Sequence, residues 1–272
     1  MVYSMKTDPQ IDNRFQSDAA KYASYLETPE GQLRLDLAFA NLQEFFPTRR
    51  ENKPLSALDL GCGTGATAIR LARLGYSVTL LDSSEAMLEI AQRASHEAGV
   101  SERVTVRRGH AAKFSTLFSA RSFDVILSHN VLEYVDDPGA VLAGAAGLLR
   151  DSSSVLSVLV RNQAGEVLKA AIQAGDLAGA EDALKSEWGQ ESLYGGKVRL
   201  FTLEGLRDLT KAASLSIIAE RGVRMVADYL PAKVSRSDEY HRIFELERKL
   251  SGRPEFVAAS RYIQVLARGT RT

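Results

Sequence analysis

Between Leu55 and Val160 the chain alternates five short apolar runs with segments patterned as helices, and few folds accept that alternation. The runs are LSALDL (55–60), YSVTLLD (76–82), RVTVRRG (103–109), SFDVILSHN (122–130) and SSVLSVLV (153–160). Near-continuous apolar runs suit strands buried on both faces, so a mostly parallel sheet with helices on each side is expected. The intervening segments mark their own ends. ATAIRLARLG (66–75) closes on a glycine, SSEAMLEIAQRASHEAG (83–99) opens on serine and closes on glycine, and DPGAVLAGAAGLLR (137–150) carries proline in its first turn. The order of elements is that of an α/β, Rossmann-type doubly wound fold.

The rest of the chain fits around this unit, and 1–272 reads as one domain. Residues 1–16 are polar and read as a flexible N-terminus. Residues 17–160 form the ligand-binding half, with a helix from about Pro29 that sets Leu33, Leu37, Phe39, Ala40 and Leu42 mostly on one face. Residues 161–197 are rich in Ala and Gly, end in Gly195-Gly196, and read as a helical lid inserted after the fifth strand. Residues 198–272 complete the sheet. There TLEGLRDLTKAA (202–213) reads as a helix, LSIIAERGVRMV (215–226) as a strand, SRSDEYHRIFELERKL (235–250) as an amphipathic helix and SRYIQVLAR (260–268) as a last strand.

The 34 basic residues balance 34 acidic ones, but residues 197–272 hold 15 Lys and Arg against 9 Asp and Glu. That local surplus suits an anionic partner, or is simply a solvated basic surface. A single cysteine excludes a disulfide framework. The N-terminus lacks the apolar core of a signal peptide, and the longest apolar stretch, Val141–Leu149, is too short for a bilayer. A cytoplasmic location with no membrane partner is expected. His96, His110, His129 and His241 fall in separate segments, a spacing that points to no metal site.

The segment GCGTGA (61–66) follows the first strand and opens a helix, as G-x-G-x-x-G/A does in dinucleotide-binding folds. Asp82 ends the second strand, where a carboxylate can take ribose hydroxyls. No Lys-Ser/Thr pair follows the glycines, which excludes a P-loop. With Asp59 and Gly65 the pattern lengthens to D-x-G-x-G-x-G, and this resembles motif I of the class I S-adenosylmethionine-dependent methyltransferases. FDVILSHNVLEYVDDP (123–138) resembles the fourth strand and following loop of that superfamily. Nothing after the fifth strand looks like a hydride-transfer apparatus.

A narrower resemblance covers nearly the whole chain. TPEGQLR (28–34), LDLGCGTG (58–65), HNVLEYVDDP (129–138), GVRMVADYL (222–230), FELE (244–247) and RYIQVLAR (261–268) are similar to segments of the bacterial enzymes that methylate the carboxylate of 5-carboxymethoxyuridine at the tRNA wobble position. The resemblance implies a Rossmann-like class I methyltransferase fold, S-adenosylmethionine as cofactor with S-adenosylhomocysteine as product, and the tRNA anticodon region as partner. Carried over by position, it puts Arg34 on the cofactor's methionine carboxylate, Gly61, Cys62 and Gly63 in the turn, and Asp82 on the ribose. Ala111 and Ala112 would border the adenine, and His129 would lie near the methionyl part. Each has a plainer alternative: Arg34 as a surface cation, Cys62 as a small residue in a tight turn, His129 as a strand-end histidine. One departure is GHAAKF (109–114), where His110 stands in place of the acidic residue that often accepts from the adenine amine.

A carboxylate acceptor is already ionised at neutral pH, so no catalytic base is expected, only groups that orient it. Arg161, Arg199, Arg224 and Tyr229 are the candidates, because a guanidinium fork can hold a carboxylate by two bonds. A phenol, thiol or amine acceptor would want a base, and His129 is then the first choice. The lid matches the resembled family only loosely. The acceptor therefore stays open between a tRNA carboxylate and a small molecule, beside an NAD(P)-binding oxidoreductase and a non-catalytic cofactor-binding regulator.

Overall fold

The computed structural model describes residues 15–48, 54–191, 193 and 195–270. Most of the N-terminus expected to be flexible, residues 1–14, lies outside these. The part that is described is docked: the Ser84 hydroxyl donates to the carbonyl of Phe15 at 3.1 Å and lies 3.1 Å from the Gln16 side-chain oxygen.

Strands β1 (Ser56–Leu60), β2 (Ser77–Asp82), β3 (Val104–Arg108), β4 (Val125–His129) and β5 (Val155–Arg161) are parallel. They join β9 (Tyr262–Gly269) and β8 (Leu215–Val223) in a seven-stranded sheet of order β3-β2-β1-β4-β5-β9-β8, in which β9 runs antiparallel to both neighbours. The strand order reverses direction at β1 and β4, and the crevice this opens at the carboxyl ends of the strands is where such sheets bind ligands. Alternate residues of β1 serve two cores. Leu58 and Leu60 meet Leu142 and Leu206 on one face, and Ala57 meets Leu42, Leu71 and Ala91 on the other. Burial on both faces is the reason the runs of β1, β4 and β5 carry so little polar alternation, whereas β3, at the sheet edge, alternates and is partly exposed.

Two helices, α1 (Ala19–Glu27) and α2 (Pro29–Gln43), precede β1 and turn sharply at Thr28. The Thr28 hydroxyl accepts from the Gly31 amide at 3.1 Å and donates to the Tyr25 carbonyl at 2.7 Å, and Pro29 opens α2. A Cβ on Gly31 would stand 2.1 Å from the Tyr25 carbonyl oxygen, so TPEG is a capped elbow that only glycine lets close. The sequence pattern places α2 but not α1.

The covering helices are α3 (Ala66–Arg73), α4 (Glu85–Glu97), α5 (Pro138–Leu148) and, beyond the insertion, α8 (Leu203–Ala212). The insertion itself contains α6 (Gln163–Leu168), which runs into a wider π-helical turn, and α7 (Leu177–Lys185). It is not wholly helical as expected. It ends in an antiparallel hairpin of β6 (Trp188–Gln190) and β7 (Lys197–Arg199), because Val198 has a buried site to fill, and Gly195 and Gly196 take left-handed turns between the strands. Strand β8 also stops earlier than the apolar pattern, at Val223, since Arg224 adopts a φ of 61° that breaks the extended run. Helices α9 (Tyr240–Leu250) and α10 (Pro254–Ala259) lead back to β9.

Candidate active site

A cleft of about 490 Å³ lies at the carboxyl ends of the parallel strands, within the range of small-molecule sites. Its walls include Gly61 and Gly63 after β1, Asp82 at the end of β2, Gly109 to Ala111 after β3, His129 and Asn130 after β4, and Arg161 ending β5. Helices α1 and α2 add Tyr22, Tyr25 and Arg34.

The glycine turn is built for close approach. Gly61, Gly63 and Gly65 have φ of 60°, 53° and 72°, and a Cβ on Gly61 would meet Val131 Cγ2 at 2.7 Å. The Gly63 amide donates to Asp82 Oδ2 at 2.8 Å and the Ser84 amide to Oδ1 at 2.9 Å. The two amides fix the orientation of the carboxylate, which lines the cleft at the end of β2, where a ribose diol can be taken. Behind the turn, Asp59 and Cys62 border a small void of about 30 Å³ rather than the cleft. Burial, reinforced by Asp82, pushes the Asp59 carboxyl up to about 8. Burial likewise holds the Cys62 thiol protonated, so Cys62 acts as a small residue and not as a nucleophile.

Arg34 is buried, not a surface cation. It donates to Asn130 Oδ1 and to the Tyr22 hydroxyl, both at 3.0 Å, and its guanidinium carbon lies 5.8, 5.2 and 5.7 Å from the ring centres of Tyr22, Tyr25 and Tyr262. Among the described residues no carboxylate pairs with it. His129 bonds Ser157 Oγ at 2.8 Å, and Ser157 accepts from Gln264 at 2.9 Å. Burial, with help from Arg34, lowers His129 to about 3, which leaves a neutral, pinned and weakly basic ring. Ala111 lines the cleft. Ala112 does not, because its amide turns to His110 Nδ1 at 3.1 Å.

At the opposite end stand Arg161, Arg224, Arg261 and Tyr262. Arg161 pairs with Glu191 and, at 3.5 Å, with Glu166. Arg224 donates through Nε to Asp228 Oδ1 at 2.9 Å and through Nη1 to the Tyr25 hydroxyl at 3.0 Å. Arg261 lies 2.8 Å from Glu166 and 3.9 Å from Asp228. Burial works against ionising the Tyr262 phenol, but Arg161, Arg34, Arg224 and Arg261 together outweigh it and bring the phenol down to about 8. The loop carrying Arg224 is held from α9. Glu247, fully buried, accepts the amides of Met225, Val226 and Ala227 at 2.8, 2.9 and 2.8 Å.

Besides Cys62 and Ala112, two of the candidates for orienting the acceptor stand outside the cleft. Arg199 bonds the Val135 carbonyl at 3.0 Å and stacks 5.2 Å over Trp188, outside the cleft. From β7 its side chain is taken up by the carbonyls of the 135–136 loop and by Trp188, its partner across the hairpin. Tyr229 is half-buried against the Gly165 carbonyl at 3.5 Å and is likewise no part of the wall. Conversely, sequence reasoning missed Tyr22, Tyr25, Asn130, Tyr134, Glu191, Asp228, Arg261 and Tyr262. Only the Tyr22–Tyr25 spacing, which puts two tyrosines on one helical face, is a usable signal. Among the described residues no cluster of His, Cys, Asp and Glu could hold a metal, and no helix is long and apolar enough to cross a membrane.

A methyltransferase-domain family profile matches residues 30–220. The fold, the glycine turn with Asp82 and this match define the class: the chain belongs to the class I S-adenosylmethionine-dependent methyltransferases, and S-adenosylmethionine is its cofactor. Within that class it is similar to the tRNA 5-carboxymethoxyuridine methyltransferase of Escherichia coli O157:H7, 30% identical over 264 residues that cover 94% of this chain and 96% of the relative. Solved structures share the fold at lower identity. A possible histamine N-methyltransferase from Thermotoga maritima superposes with a TM-score of 0.63 at 17% identity, covering 96% of this chain and 100% of the other. The 1,6-didemethyltoxoflavin-N1-methyltransferase of Burkholderia thailandensis, solved with S-adenosylhomocysteine, gives 0.58 at 19%, covering 99% and 94%. The oxidoreductase and the non-catalytic regulator are thereby set aside.

Proposed function

We propose that the protein methylates a carboxylate, that of 5-carboxymethoxyuridine at the tRNA wobble position. The observation that carries this reading is the composition of the cleft beyond the turn. Arg161, Arg224 and Arg261 gather there, while His129 is too weak a base to activate a neutral nucleophile. Such a site suits an acceptor that arrives as an anion. The activity of the E. coli relative and the basic surplus of residues 197–272 support the tRNA part of the reading.

The turn end fits the cofactor. Asp82 is a cleft-lining carboxylate held in place by two amides and suited to the ribose hydroxyls, the positive φ at Gly61 and Gly63 admits close approach, and Arg34 is a buried cation suited to the methionine carboxylate. When bound, S-adenosylmethionine would supply an electrophilic methyl on a sulfonium, and an acceptor oxygen that is already ionised needs no proton removed to receive it. The protein's own work is alignment and exclusion of water. Arg34 ties both ends together, since Tyr22, Tyr25 and Tyr262 enclose it on three sides.

The test is methylation of bulk tRNA from bacteria that make 5-carboxymethoxyuridine but lack its methyl ester, read by mass spectrometry after nucleoside digestion. Conversion of the acid to the ester is expected. Tight S-adenosylhomocysteine binding without conversion would sink the tRNA reading and move the acceptor to a small molecule under the insertion.

A further inference from the structure

The cations at the far end of the cleft are not equivalent. Arg224 is tied to Asp228 four residues on in its own loop, and to the Tyr25 hydroxyl. Arg261 is held between Glu166 of α6 and Asp228 of the loop that follows β8. Arg161 has one local partner, Glu166 at 3.5 Å, which also serves Arg261 at 2.8 Å. Its other partner, Glu191, comes from the hairpin, where it follows β6.

Glu191 is bound as a ligand's carboxylate would be. One oxygen takes Arg161 and the Tyr134 hydroxyl, the latter at 3.1 Å, and the other takes the Leu193 amide at 2.8 Å. The carboxylate is buried and lines the cleft with Arg161 and Tyr134. Desolvation opposes its charge, but Arg161 and these hydrogen bonds keep it ionised. Charge balance then limits what can enter. Arg161, Arg224 and Arg261 each have a carboxylate partner among Glu166, Glu191 and Asp228. Although Arg34 and Lys169 also line the cleft, an acceptor carboxylate that reaches Arg161 itself would share that guanidinium with the like charge of Glu191. Removing the Glu191 carboxylate leaves one buried positive charge, and an incoming acid restores the balance.

We propose that Arg161 and Tyr134 form the subsite for the acceptor's carboxylate, with Glu191 as a resident stand-in that the acceptor displaces. This rests on the carboxylate-acceptor reading and names the groups that recognise it. Glu191 thereby sets specificity. A neutral analogue of the acceptor cannot compensate Arg161, so it leaves the internal pair in place and is held weakly.

The test loads the protein with S-adenosylhomocysteine and titrates it calorimetrically with 5-carboxymethoxyuridine nucleoside and with 5-methoxyuridine nucleoside. Glu191→Gln keeps the shape and removes the competing charge, and should bind the acid about tenfold more tightly with no gain for the neutral analogue. Arg161→Gln should lose the acid and, combined with Glu191→Gln, abolish the gain, since the two residues act as one unit. Tyr134→Phe in the Glu191→Gln background should weaken the acid again, a check that does not depend on altering a salt bridge. S-adenosylhomocysteine affinity and melting temperature, measured on each variant, report correct folding. Equal or weaker acid binding by folded Glu191→Gln, or a gain that survives Arg161→Gln, overturns the proposal. The carboxylate reading fails separately, by the absence of ester in the tRNA assay with the wild-type protein.

Discussion

At one end of the cleft, Gly61, Gly63, Gly65 and Asp82 belong to a single strand–turn–helix–strand unit, and their geometry is almost entirely backbone: three positive φ angles at the glycines and two amides on one carboxylate. At the other end, Arg161 comes from β5, Arg224 from the loop after β8, Arg261 from the residue before β9, and their counter-charges from α6, the hairpin and the 224–228 loop. The first end is a shape that exists before any ligand arrives. The second is a balance of buried charges, in which each guanidinium is tolerable only because a carboxylate or phenol stands beside it. A backbone site can tolerate many changes around it. A compensated charge cluster transmits the loss of any member to the rest.

That contrast can be broken by experiment. The largest effect is expected at the turn end: on the proposed reading Asp82 holds the ribose diol, so Asp82→Ala should weaken S-adenosylhomocysteine about 100-fold or more by calorimetry. Unchanged affinity would mean the ribose lies elsewhere. At the arginine end, Glu247→Gln puts an amide where three backbone N–H groups need an acceptor. It should cost about 2 kcal/mol of stability in denaturant unfolding while leaving cofactor affinity nearly intact. Loss of cofactor binding in a folded Glu247→Gln protein would show that the two ends are not separable. Arg34→Ala lies between them and should weaken S-adenosylhomocysteine about tenfold, with a parallel rise in KM for the acceptor, because its tyrosine cage serves both ends. If only the cofactor responds, Arg34 belongs to the turn end alone. The smallest effect is Arg199→Ala: its stacking on exposed Trp188 contributes about 0.5–1 kcal/mol, and KM for the acceptor should not move. A large rise in that KM would return Arg199 to the site.

The sheet was legible because its signals are local and repeated. The apolar runs between 55 and 160 correspond to β1 to β5, and the serine, glycine and proline boundaries of the helices lie where their caps form. The hairpin in the insertion was not legible. WGQ and KVR are short, and what makes them strands is their pairing and the burial of Val198. Helix α1 is short and stands on the packing of its elbow against α2. Among the cleft residues, the glycine turn of Gly61 and Gly63 and the strand-end Asp82 could be placed by counting along the chain, whereas Arg34, Ala111 and His129 were expected there only from the family resemblance. Arg199 and Arg261 could not be told apart that way, since each is an arginine beside a strand end.

By itself, then, the sequence determined whatever depends on neighbours along the chain: the alternation that makes a doubly wound sheet, the glycines that allow left-handed turns, the carboxylate one unit on from them. These follow from backbone sterics and from side-chain periodicity, both of which act over a few residues. Only the tertiary structure decided which arginines share a cavity. The reversal of β9 brings Tyr262 opposite Arg161 across the β5–β9 ladder, and Glu247 fixes the loop that turns Arg224 inward. The hairpin supplies Glu191 as the counter-charge. Charge interactions carry no sequence period. They depend on distance and on the absence of water, and the packing of distant segments creates both.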